Sequence, residues 1–69
     1  MHILLRYSSE KKEHVMVFDE INISVAEVLH DAKKRYGKNS QLILLNTDNI
    51  HLEENVLVEK GKSYRVKRR

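Results

Sequence analysis

"KGKSYRVKRR", residues 60–69, decides the fold. Six of its ten residues are Lys or Arg, and Tyr64 and Val66 are threaded between them. Alternation of apolar and charged residues with a period of two is the signature of a strand with one buried face. On this reading "SYRVKR", residues 63–68, closes the chain as a strand, Tyr64 and Val66 inward, Arg65 and Lys67 outward.

Outward from that strand the other elements follow. "EENVLVEKGK", residues 53–62, reads as a loop or a single helical turn that holds Val56 and Val58 toward the core. "QLILLN", residues 41–46, is too short for a buried helix and predicts a strand, "TDN" a turn, and "IHL" a brief strand. Ser24 followed by Glu27 forms a capping box, with Ile23 and Val28 placed as a hydrophobic staple. Val25, Val28, Leu29, Ala32 and Tyr36 then recur at helical spacing up to Gly37, a natural left-handed C-cap, so a helix spans about residues 25–36. Lys33 to Arg35 suit the negative end of its dipole. At the N-terminus "MHILLRY" and "HVMVF", joined by the polar "SSEKKE", make an antiparallel hairpin. The order β-β-α-β-β-β, with the last strand inserted centrally beside the first, predicts an α+β fold, a β-grasp (ubiquitin-like) roll. Its mixed sheet carries one helix across one face, and residues 1–69 form a single domain.

Composition bounds the function. At 69 residues with no cysteine, the chain has room for one small apolar core and lacks both disulfide staples and a thiolate zinc site. No apolar run approaches a membrane span and no signal-peptide layout opens the chain, so a soluble, intracellular domain is expected. The net charge of +3 is uneven. Residues 60–69 hold six basic and no acidic side chains, whereas the other 59 residues carry seven basic and ten acidic ones, a net −3. A general polyanion binder spreads positive charge over a face instead.

If Ile3, Leu5, Tyr7, Met16, Phe18, Leu42, Leu44, Tyr64 and Val66 face the helix, then Leu4, Val15, Val17, Ile43 and Leu45 face away from it. A solvated sheet face reads polar. Five aliphatic residues flanked by Arg6, Arg65 and Lys67 therefore predict a protein-docking patch, with Arg68 just past the closing strand as a further contact. Covering about 200 Å2 of it returns roughly 5 kcal/mol before association costs. A second reading is an RNA-binding surface made of the basic end and Lys33 to Lys38, with Tyr7 or Tyr64 stacking on bases. The terminal "KRR" also suits a nuclear address.

Catalytic and metal signals are weak. His2, His14, His30 and His51 lack a metal-ligand spacing with a carboxylate on the same element. Ser8, Ser9, His14 and Asp19 supply the residue types of hydrolytic chemistry, but nothing in the sequence orients them. No catalytic, cofactor or metal site and no small-molecule substrate is expected, and the sequence as written, stopping at Arg68-Arg69 without a Gly-Gly tail, is not expected to be conjugated, whereas a longer precursor could differ.

"LRYSS" (5–9), "VFDEINISVAEVL" (17–29), "QLILLN" (41–46) and "EENVLVEKGKSYRVKRR" (53–69) together resemble the DWNN domain. That is the ubiquitin-like N-terminal domain of retinoblastoma-binding protein 6 and of its fungal counterpart in the cleavage and polyadenylation factor. Phe18-Asp19, Ile23-Ser24 and the run 53–58 before the basic strand carry most of the likeness. The chain departs from the family at Glu20, usually glycine, at Glu59, usually proline, and in a short segment between helix and third strand. The resemblance implies a nuclear, non-catalytic protein-binding module of a larger RING-containing protein. Its partner would be the endonuclease subunit of the pre-mRNA 3′-end processing machinery, with RNA possible nearby.

Overall fold

A computed structural model describes residues 1–8 and 10–69. Its elements run β1 His2–Tyr7, β2 Glu13–Val17, α1 Val25–Tyr36, β3 Leu42–Leu45, β4 His51–Leu52 and β5 Ser63–Arg68. The strands form one sheet in the order β2-β1-β5-β3-β4. β5 lies parallel to β1 and antiparallel to β3, so the closing strand is the middle of a mixed sheet. This is a β-grasp-like α+β fold.

The helix-facing positions are those that the period-two pattern assigns. Ile3, Leu5, Tyr7, Leu42, Leu44, Tyr64 and Val66 are buried, and they form one core with Val25, Val28, Leu29 and Ala32 of α1. Met16, Phe18 and Tyr36 pack around its edge. The Tyr64 hydroxyl, carried inward with its ring, accepts a hydrogen bond from the Glu59 N–H at 2.8 Å. That bond satisfies a backbone donor in the loop leading to β5.

The helix start differs from a full capping box. Ser24 Oγ accepts from the Glu27 N–H at 3.3 Å, but no return bond from the Glu27 carboxylate to the Ser24 amide is found among the described residues. The first helical amides are met by the chain itself: Val25 N–H donates to the Val56 carbonyl at 2.8 Å and Ala26 N–H to that of Glu54 at 3.1 Å. Backbone acceptors thus answer the orphan donors of the first turn. Ile23 and Val28 are both fully buried, as a staple requires.

The same contact explains residues 53–58. With its carbonyls turned to α1 the segment is a loop, and turns at Glu54–Asn55 break the period-two alternation. Val58 is buried and its N–H donates to the Ile23 carbonyl, whereas Val56, expected in the core, is exposed. At the other helix end Gly37 sits at φ +108°, ψ 144°, outside the left-handed helical region expected of it, in a region that side chains disfavour. Its N–H still donates to the Lys33 carbonyl, and Ser40 Oγ donates to that of Tyr36.

Candidate docking surface

The face of the sheet turned away from α1 is a grid fixed by strand register, because residues directly opposite on neighbouring strands share a face. One row runs Val15, Leu4, Ser63; the next runs Glu13, Arg6, Arg65, Leu45, His51; a third pairs Lys67 with Ile43. Val17 lies opposite His2 at one corner. The middle strand β5 therefore presents only Ser63, Arg65 and Lys67 outward.

The single patch expected from the sequence is thus two. Leu4, Val15 and Val17 lie on β1 and β2; Ile43 lies on β3, on the other side of β5, about 9.5 Å from the β1 axis. Val15 and Val17 are 62% and 73% exposed, and Leu4 and Ile43 are half-buried. Leu45 does not belong to the open surface: it is only 7% exposed. It stands opposite Arg65, whose Nη2 donates to Asn49 Oδ1 at 2.8 Å in the turn beyond β3. That bond draws the long Arg65 side chain toward the β3 side, where its stem is available to shield the leucine beside it.

Arg68 is a second correction. It is the last residue of β5 rather than one past it, and its register partner is the core residue Leu42, so it projects to the helix side. Its guanidinium stacks over the Tyr36 ring at 5.1 Å. Two positions after Val66, the period of two had to place it there.

The helix-side end of the sheet is a polar–aromatic cluster. Glu10 accepts from Arg35 at 2.5 Å and bonds His14 Nε2 at 2.7 Å, one carboxylate oxygen to each. Arg35 lies 4.7 Å over the Tyr7 ring, which also packs against His14 and Tyr36. Burial pushes the Tyr7 phenol up in pKa, and Arg35 pulls it partly back. The Arg35 hydrogen bond, aided by that of His14, holds the Glu10 carboxyl below its ordinary 4.5.

A depressed carboxylate value contributes stability that is present above the ordinary value and is lost as pH falls through the folded one. The thermal midpoints of the chain and of Glu10→Gln should therefore differ most at neutral pH and converge below pH 4.5. The groups are exposed enough for solvent to screen them, so the gap is small and shrinks with salt. A gap that persists unchanged in acid contradicts this role for Glu10.

The remaining candidates separate. Tyr7 and Tyr64, considered as base-stacking residues, are buried in the core and unavailable to a ligand. Ser8 Oγ donates to the Val66 carbonyl at 2.6 Å while His14 is held by Glu10, so the two do not meet; Ser9 lies outside the described residues. Among the described residues no three His, Asp or Glu side chains converge as metal ligands. Ile21 and Leu57, 79% and 55% exposed, were not anticipated, because they sit in loops where no periodicity marks a face. The sequence matches no protein-family model and no curated protein.

Proposed function

We propose that this chain is a non-catalytic protein-interaction module that docks through the sheet face opposite α1. Exposed Val15 and Val17 beside Leu4, separated from Ile43 by the cationic outer side of β5, are the observation that carries this reading. A solvated face has no use for aliphatic side chains at such exposure, whereas a partner that covers them gains their burial. The cations between the clusters set orientation and association rate.

The partner proposed, on the likeness to the DWNN domain alone, is the endonuclease subunit of the nuclear pre-mRNA 3′-end cleavage and polyadenylation machinery, bound on behalf of a RING-containing protein. The test is binding of the isolated chain to that purified endonuclease. Val15→Asp with Val17→Asp is expected to weaken it at least tenfold, or about 1.4 kcal/mol. Arg68→Glu, on the opposite face, should change it far less. Unaltered affinity in the double variant overturns the docking reading. The RNA alternative loses its stacking residues to the core, and it would be restored by salt-dependent binding of a short RNA with the slope of several released counterions.

A further inference from the structure

We infer that the depression at the open end of β1 and β5 is an anion site that takes the phosphate of a phosphorylated serine or threonine on the docking partner. It has a volume of about 370 Å3 and is lined by Arg6, Ser8, Glu10, Lys11, Arg65 and Lys67. The inference deepens the docking reading, since the depression adjoins the proposed face.

Three observations carry it. The parallel register places Arg6 and Arg65 directly opposite on the same face, a like-charge pair of the kind that is unfavourable, and Glu13 on the far side of Arg6 does not come between them. Neither makes an ion pair among the described residues; Arg65 has only the neutral Asn49, and its Nε is shut off from solvent without a partner. The one carboxylate in the lining, Glu10, is already engaged through both oxygens by Arg35 and His14; Glu13 stands opposite Arg6 without an ion pair to it among the described residues, and Lys11, Arg65 and Lys67 have no free carboxylate in the depression.

A dianion suits this set better than a single carboxylate. Guanidinium groups recognise phosphate oxygens bidentately, and the second charge matches the surplus of cations. A peptide is favoured over a nucleic-acid strand. The cations form a compact group bordered by Leu4, Val15 and Ile43, and both tyrosines that could stack on bases are in the core.

The test is NMR titration of the chain with inorganic phosphate, with a phosphoserine pentapeptide, with its unphosphorylated form and with hexauridylate. Expected are saturable shifts centred on Arg6, Arg65 and Lys67. The phosphopeptide should bind at least tenfold more tightly than the unphosphorylated peptide, and Arg6→Gln, an exposed change that leaves the core intact, should weaken it at least fivefold. Shifts centred instead on Lys33, Lys34 and Lys38, no effect of Arg6→Gln, or hexauridylate binding more tightly than the phosphopeptide overturns the inference. Phosphopeptide binding at Arg6 and Arg65 without any affinity for the endonuclease leaves the anion site standing and removes the partner assignment. Endonuclease docking with no phosphate response at these residues does the reverse.

Discussion

Deleting residues 63–69 abolishes cooperative folding. Without β5 the order β2-β1-β5-β3-β4 falls into two hairpins with no common edge, since only β5 joins β1 to β3. Tyr64 and Val66 leave the core with it. A two-stranded hairpin is marginal in water by itself. The truncated chain should show no thermal transition by circular dichroism and collapsed amide dispersion by NMR. Removing only Arg69, outside the strand and held by one backbone bond to the Gln41 carbonyl, should cost at most about 1 kcal/mol. A truncated chain that melts cooperatively near the temperature of the full one contradicts the central position of β5.

Leu44→Ala brings the chain close to the limit of stability. Leu44 is fully buried, between Val66 on β5 and Leu52 on β4. Losing its side chain costs about 2–5 kcal/mol through lost burial and the cavity left behind. At roughly 0.05–0.15 kcal/mol per residue, a domain of this size has only about 3–10 kcal/mol in total. The melting temperature should therefore fall by at least about 8 °C, at 4–8 °C per kcal/mol for small domains. Val17→Ala, at an exposed edge position, should stay within about 0.5 kcal/mol. Equal effects of the two substitutions would mean that the sheet faces are exchanged.

Both predictions rest on patterns written locally in the chain. Alternation in "MHILLRY" and "SYRVKR" specified β1, β5 and their buried faces, because register and face are locked together by the period of two. Ser24 and Gly37 bounded α1 as well, Ser24 through its hydroxyl and Gly37 in a conformation other than the left-handed helical one expected. What the sequence could not state was lateral. Spacing along the chain does not encode which strands are neighbours; the central place of β5 came from the β-grasp architecture, and the division of Leu4 from Ile43 that follows from it was not carried through to the outer face. The burial of Leu45 depends on where the long Arg65 side chain comes to rest. Arg68 lies within "SYRVKR" itself, so the period of two that buries Tyr64 and Val66 also turns Arg68 to the helix side, and reading it as a contact past the strand ignored that alternation. The helix cap supplied by Val56 and Glu54 joins segments some thirty residues apart, beyond the reach of any local motif.

The parallel neighbours Leu4 and Ser63 sit near opposite ends of the chain. During synthesis β1 emerges some 59 residues ahead of its partner, an interval of roughly 3–12 seconds at the usual 5–20 residues per second. Throughout it one edge of β1 stays open, joined by one edge of β3 once residues 42–45 are made, a template for stray pairing on the ribosome. The nascent chain is therefore most in need of a chaperone in the moments before residues 60–69 appear, and slower translation of the codons for those residues would lengthen that vulnerability.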